Sequence, residues 1–379
     1  MTRGSIRPER WLSLDAVRGM TVAGMLLVNN PGTWDAIYPP LEHAKWHGWT
    51  PTDLIFPFFL FIVGITTELS LGRRATEGAS DREIRRQILR RGVLIVLAGL
   101  LLAAFPFYPL SRVTAVRIPG VLQRIGVCYA IAALIAWRRS TRAVVGVVAV
   151  LLLGYWAIMT MVPAPGLERA TIEVPDQTIA AYFDRLLLGG HLWSQTKTWD
   201  PEGPLSTIPA IGTSLLGILA GRWIRRPNPL DARLNGLFAA GCLGLMLGLA
   251  WNAVFPINKN LWTSSFVVFT AAVAILFLAT ASWLVEVRGV RRWTAPFVTY
   301  GKNPLVAFLG SGLMARAIGS WIFVGTGDDR ISLQEALFQR LFASWLTPIN
   351  ASLAFAIAFV LVWYLLLLLM ERRGWILKI

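Results

Sequence analysis

Long apolar blocks alternate with short polar segments along almost the whole chain. Ten blocks can be read, at about 12–30, 51–71, 92–109, 118–137, 143–162, 205–223, 234–251, 261–284, 303–323 and 351–370. Each is roughly 17 to 25 residues long, the length of helix that crosses a hydrocarbon core of about 30 Å. The pattern predicts an all-α, polytopic helical bundle of about ten transmembrane helices. The first block is the most polar of the ten because it contains Asp15 and Arg18. Segment 333–346, LQEALFQRLFASWL, is amphipathic and is predicted to lie in the membrane interface. Residues 1–379 read as one transmembrane domain with no large soluble part, and 163–204 is its longest loop. No internal repeat is evident. The Gly217/Gly221 and Gly244/Gly248 spacings predict close helix packing.

Composition supports the same class. Hydrophobic residues make up 55% of the chain and charged residues 15%, against about 25% charged in soluble domains. Cys128 and Cys242 both lie in apolar blocks and read as small buried side chains, not as a disulfide framework. The first apolar run starts late, carries charge and lacks a small-residue cleavage site, so no cleaved signal peptide is expected.

The net charge of +15 raises the question of nucleic acid, and its distribution argues against that. With alternating sides, 24 of the 36 Lys and Arg fall on the side of the N-terminus and nine on the other; Arg18, Arg124 and Arg316 lie within blocks. Such a bias orients helical membrane proteins with the basic side cytoplasmic. Both termini are therefore predicted to be cytoplasmic. Loops 31–50 and 163–204 and the INKN stretch at 257–260 then face outside. They hold all three histidines and most of the acidic and amide side chains, so the polar chemistry is predicted to gather at the outer ends of the helices.

Ionisable groups inside a bilayer are costly and are candidates for function. Asp15 and Arg18 are three residues apart and can pair on one helix face, or Arg18 can meet an anion arriving from the cytoplasm with Asp15 orienting it. Arg124, which follows Gln123 in PGVLQRIG near the start of the fourth block, is predicted to lie at the outer end and to face the bundle interior. Asn29 and Asn30 close the first block. His43 and His47 are four apart, but no further ligand at helical spacing completes a metal site, and none is predicted. In TPTD, Thr50 and Asp53 fit a helix cap around Pro51; Asp53 is also placed to orient a histidine. Asp200 and Glu202 precede the sixth block and suit sugar hydroxyls or an ammonium. Asn258, Lys259, Asn260 and Trp262 open the eighth.

These stretches together resemble the bacterial relatives of heparan-α-glucosaminide N-acetyltransferase, a family of membrane-embedded acetyltransferases. The matching segments are SLDAVRG at 13–19, VN at 28–29, HAKWHGWTPTDLIFPFFLFIVG at 43–64, PGVLQRIG at 119–126 and DRLLLGGHLW at 184–193, followed by DPEGPLST at 200–207, INKNLWTSSFV at 257–267 and YGKNPL at 300–305. The resemblance implies transfer of acetyl from cytoplasmic acetyl-CoA, with no metal, to the amino group of a glucosamine-type sugar outside a bacterial inner membrane. It implies that His43 matches the family's essential histidine, in the frame H-A-x-W, and Asn29 the asparagine beside it. His47 stands where the animal enzyme has an amide, which argues against it as the base. The long N-terminal extension and first span of the animal protein have no counterpart here. The acceptor is then expected to be an amino sugar from chitin or peptidoglycan turnover, not heparan sulfate.

The residues suit this chemistry independently. An amine attacks a thioester only when neutral, and histidine titrates near neutrality. Oxyanion donors could come from Asn29, Asn258, Asn260 or a helix N-terminus. Arg18, Asp15, Arg124 and Gln123 are the candidates for holding the donor, and Asp200, Glu202, Asn258, Lys259, Asn260 and Trp262 for the acceptor. The partners expected are the amino sugar and the lipid bilayer; a homodimer is compatible with the sequence. Two other functions stay open: an amino-sugar transporter, and an acyltransferase with another acceptor. The transporter reading lacks paired repeats and broken helices in matching halves.

Overall fold

The computed structural model describes residues 11–108, 114–326 and 330–377. Within them lie thirteen α-helices: α1 (Leu12–Asn29), α2 (Ile55–Thr76), α3 (Asp81–Ala104), α4 (Val121–Ala136), α5 (Thr141–Met161), α6 (Ile179–Leu188), α7 (Pro204–Ile224), α8 (Leu230–Asn252), α9 (Ser264–Ser282), α10 (Thr294–Lys302), α11 (Pro304–Ser320), α12 (Leu333–Phe338) and α13 (Pro348–Arg372). Seven are long and apolar enough to cross a membrane: α2 with its preceding turn, α3, α5, α7, α8, α9 with its following turn, and α13. The other three predicted blocks coincide with α1, α4 and α11, of which α4 and α11 are shorter apolar helices. The protein is a polytopic, helical membrane protein.

Local chemistry sets the helix ends. Ser80 and Glu83 form a capping box at the start of α3, and the Ser140 and Thr178 hydroxyls cap α5 and α6. Proline occupies the first position of α7, α11 and α13, where its missing N–H costs nothing. The cap at Ser80 also explains why α3 starts eleven residues before its predicted block. DREIRRQILRR is charged but helix-forming, so the helix extends beyond the apolar stretch. The predicted end of that block, at 109, lies outside the described residues, as do the basic residues Arg3, Arg7, Arg10, Arg112 and Lys378 counted above.

Two elements depart from the expected loops. Residues 294–302, taken as part of a polar connection, form α10 packed on α1. A Cβ on Gly19 would lie 1.6 Å from the Phe297 carbonyl oxygen, so only glycine permits that approach. The long loop 163–204 contains α6. Segment 333–346 begins as α12 and continues as a π turn, Gln339–Ala343; Phe338 is buried against α13 while Leu341 and Trp345 are exposed. A two-stranded hairpin pairs Phe323 with Ser332 and Val324 with Ile331.

The helices form a buried centre and an apolar rim. More than half of the apolar stretch of α7 and of α9, and half of that of α2, is buried, against about a quarter for α3, α5, α8 and α13. The rim helices expose Leu97, Val150, Leu247 and Leu365, side chains suited to lipid. Cys242 is exposed on α8, contrary to the expectation of a buried thiol, because α8 turns most of its surface outward; Cys128 on α4 is buried. At the centre, α2 and α7 touch backbone to backbone. A Cβ on Gly217 would stand 2.0 Å from the Phe61 oxygen, and one on Gly64 2.2 Å from the Ser214 oxygen. Gly221, Gly244 and Gly248 also sit against neighbouring helices, as their spacing predicted.

Gly217→Leu should therefore cost about 1–3 kcal/mol or more by overpacking and lower the melting temperature in detergent. Gly146→Ala, where no atom lies within 4 Å, should leave it unchanged or slightly raised. Equal melting temperatures for the two variants would contradict the α2–α7 contact.

Candidate active site

At one end of the bundle, a buried carboxylate organises the loop that carries the histidines. Pro51–Leu54 is a 3-10 turn that runs straight into α2, and Asp53 sits in it fully buried. Its Oδ2 accepts from the Thr50 and Ala44 amides, both at 3.0 Å, and its Oδ1 lies 2.7 Å from His43 Nδ1. The sequence allowed a cap or a histidine partner for Asp53, and the structure has both. With Nδ1–H donated to Asp53, the free lone pair of His43 is on Nε2. The imidazole keeps 47% of its side-chain surface exposed.

Lys259 reaches the same ring. Its Nζ lies 3.0 Å from His43 Nδ1, 3.1 Å from Nε2 and 3.7 Å from Asp53 Oδ1. Burial pushes the ammonium below the usual lysine range, against the pull of Asp53 and Glu202. An amine of lowered basicity thus stands beside the imidazole, about equally far from its two ring nitrogens. The segment carrying Lys259 is tied to the histidine loop by Gly48, whose N–H donates to the Ile257 oxygen at 2.8 Å.

His47 has other partners. It accepts from Asn258 Nδ2 at 3.3 Å through Nδ1, and its Nε2 lies 3.2 Å from Glu173. Asn258 is buried, and its Oδ1 accepts from the Leu261 amide. Asn260 is half-buried beside it. Trp262 is buried beneath, with Nε1 donating to Thr213 and its ring edge-on to Phe56. Trp46 and Trp199 meet edge to face above, 5.3 Å between centroids. Asn30 caps α1 through the Leu26 oxygen, while Asn29 is exposed at the same helix end and its side chain makes no hydrogen bond among the described residues.

A second charged group adjoins. Arg117 holds Asp200 through two nitrogens and also reaches Glu202. Burial alone would lower its pKa; the two carboxylates outweigh that and raise it. Asp200 also accepts from the Trp193 and Glu202 amides, so both oxygens are engaged in holding the loop. Asp184, on α6, accepts from the Asp200 amide and packs where a Cβ on Gly203 would stand. Burial pushes its carboxyl up to about 7. Arg124 is buried on α4, donates to Ser206 and Gly203, and lies over the Trp262 ring.

The opposite end of the same helices holds a cavity of about 400 Å³ between α1, α2, α3, α4 and the α10–α11 corner. Arg18, Arg73, Arg74, Arg91 and Lys302 line it, and its inner wall is Met25, Leu122 and Ile125. Arg18 donates to the Gly301 oxygen, pairs with Asp15 at 2.8 Å as its spacing allowed, and lines the cavity. Gln123 packs against Gly99 and Gly120 instead of lining this space.

Arg117, Asp184, Trp46 and the cavity cations on α2 and α3 are site-lining residues that the sequence did not single out, whereas it offered Asp53 as a histidine partner. The signal for Asp53 was present in its distance of ten residues from His43. Arg117 had none, since Asp200 lies 83 residues along the chain, while Asp184 opens the DRLLLGGHLW segment but has no local pattern that marks its burial.

A polytopic helical bundle with an oriented histidine at one end and a cationic cavity at the other defines a membrane protein equipped for polar chemistry at both faces. Residues 10–246 match the family model described as heparan-alpha-glucosaminide N-acetyltransferase, catalytic, and the chain belongs to that family. It is 31% identical over 360 residues to the human heparan-alpha-glucosaminide N-acetyltransferase (Homo sapiens), covering 81% of this chain and 53% of the human protein. With the mouse protein of the same name (Mus musculus) it is 31% identical over 388 residues, 89% of this chain and 58% of that one. The chain thus spans little more than half the length of these curated relatives.

The raised Asp184 carboxyl has a measurable consequence. The folded protein holds that proton more tightly than the unfolded chain, whose carboxyl titrates near 3.8. The resulting stabilisation is full below about pH 4 and is lost as pH rises through 7. Between pH 5 and 8 the wild-type melting temperature should fall more than that of Asp184→Asn. Parallel curves would show that Asp184 is not held protonated.

Proposed function

We propose that this chain is an acetyl-CoA-dependent transmembrane N-acetyltransferase that acetylates the amino group of a glucosamine-type sugar. The observation that carries the reading is the His43–Asp53 pair, with an amine against the imidazole, at the opposite end of α2 from the cationic cavity. Asp53 holds the imidazole in the tautomer whose Nε2 can take a proton, and His43 is the general base. Lys259 Nζ marks where an amine nitrogen can sit against that base; the acceptor's amine takes its place. Trp46, Trp199 and Glu202 border the acceptor's approach, with Asn258, Asn260 and Trp262 shaping the floor and Asn29 the neighbouring helix end. Asp200 acts by holding the loop.

The donor's phosphates bind at the cationic cavity, with Arg18 oriented by Asp15. Five cations in one cavity suit a polyanion, and the Met25–Leu122–Ile125 wall suits the pantetheine arm. Arg124, four residues beyond Gly120 on α4, meets the reacting end of the donor, and Gln123 supports that helix against α3. The basic end is cytoplasmic and the histidine loop lies outside, in the inner membrane of a bacterium. Transfer is direct, in a ternary complex.

The decisive assay incubates purified protein with labelled acetyl-CoA and glucosamine and looks for labelled N-acetylglucosamine. His43→Ala should lower turnover by ~10²–10⁴-fold, the usual worth of a general base, with little change in acetyl-CoA affinity. Full turnover in that variant, or movement of glucosamine across a vesicle membrane without acetyl-CoA, would favour a transporter instead.

Orientation is tested separately. In a background lacking Cys128 and Cys242, cysteines at Glu42 and Gln195 should react with an impermeant thiol reagent added to intact cells, and one at Glu77 should not. The reverse pattern would put the histidine on the donor's side.

A further inference from the structure

Arg124 is held in a way that packing does not explain. Its side chain is fully buried, 2% exposed, yet no carboxylate among the described residues forms an ion pair with it. Asp200 and Glu202, the nearest acidic loop, are taken by Arg117. Only Nη2 is engaged, with Ser206 Oγ and with the Gly203 oxygen at 3.2 Å. Nε and Nη1 are buried and have no hydrogen-bond partner among the described residues. The guanidinium carbon lies over the Trp262 ring, 5.1 Å from its centre. A buried cation with two unmet donors is strongly unfavourable unless an anion or a polarised oxygen visits it.

Its neighbours indicate which oxygen. Leu122 and Ile125, on either side of Arg124 along α4, line the cationic cavity. Trp262 is three residues from Lys259, whose Nζ touches His43, and the Arg124 charge acts on that ammonium. Met25, Leu122 and Ile125 of the cavity wall pack in one apolar cluster with Phe56 and Trp262. Arg124 therefore borders the partition between the cavity and the histidine. The amides considered for an oxyanion are less suited: Asn258 is engaged on both side-chain atoms, and Asn29 is exposed to solvent.

We propose that Arg124 is a catalytic residue whose free Nε–H and Nη1–H bind the acetyl carbonyl oxygen and take the negative charge that develops on it. The inference rests on the acetyl transfer proposed above. As the acceptor nitrogen bonds to the carbonyl carbon, the C=O π pair moves to oxygen beside Arg124 and His43 takes the amine proton. When the pair returns, the C–S bond breaks, and the thiolate leaves as CoA after taking the proton back from His43. Nothing is oxidised or reduced. A preformed cation in a water-poor site stabilises that charge more in the transition state than in the ground state.

The test uses the full chain in lipid nanodiscs, with Arg124→Met, Arg124→Lys and wild type. Turnover, acetyl-CoA affinity by calorimetry and melting temperature are measured on each. Arg124→Met should lose ~10²–10³-fold in kcat, the usual worth of an oxyanion donor, with acetyl-CoA affinity within about 3-fold of wild type and the acid limb of the pH profile unmoved. Arg124→Lys, which keeps the charge but not the paired donors, should recover part of that loss. Wild-type kcat in either variant would overturn the inference while leaving the transferase reading intact. So would a loss confined to variants that no longer melt cooperatively, or one equalled by the loss in donor affinity. If Arg124→Met does not fold, Arg124→Lys decides: full kcat refutes the role, and a selective kcat loss in a folded protein supports it. A wild type that acetylates no amine removes both this inference and the reading beneath it.

Discussion

The Asp53 carboxylate is the constraint on which the histidine end depends. A buried charge is tolerable only when its oxygens are paired and hydrogen-bonded. Asp53 meets that requirement with two backbone amides, an imidazole and a nearby ammonium. The same bonds fold residues 43–50 back onto the first turn of α2, fix the ring orientation of His43 and draw the Lys259 segment against it. Capping a helix and aligning a base are one interaction here, because the cap's second oxygen is the one that faces the loop.

The rest of the bundle keeps two sets of charge apart. α2 is 22 residues long, about 33 Å at 1.5 Å per residue. One end carries the Asp53 knot and the other Arg73 and Arg74 at the cavity. Between them the glycines of α2 and α7 let backbones meet, and the apolar cluster around Phe56 and Trp262 fills the middle. That cluster separates the two polar regions, and Arg124 is the charged group set at its border. In the acetyl transfer proposed above, a charged donor and a polar acceptor meet where these two regions join.

Much of the fold could be read from the chain. Apolar runs of membrane length leave helix as the one structure that satisfies the backbone in lipid, and all ten predicted blocks are helical. The ends were less legible. Ser80 carries α3 well into charged sequence, and α10 exists because Gly19 and Gly301 let it lie on α1, a contact between residues 282 positions apart. Cys242 shows the same limit: an apolar stretch does not say which of its faces meets lipid and which meets protein.

The sequence alone determined the class of molecule, the positions of its helices and the short list of polar groups that lipid would not tolerate without a purpose. It put Asp15, Arg18 and Arg124 on that list, and it gathered His43, Asp53 and Lys259 in segments at the outer helix ends. Only the tertiary structure decided which of them meet. Asp53 and His43 are close in sequence, but Lys259 reaches them from 206 residues beyond Asp53, and Arg117 finds Asp200 across 83. Hydropathy reports the free energy of one helix in lipid. The partner of a buried charge is set by how helices pack around it, which no local pattern encodes.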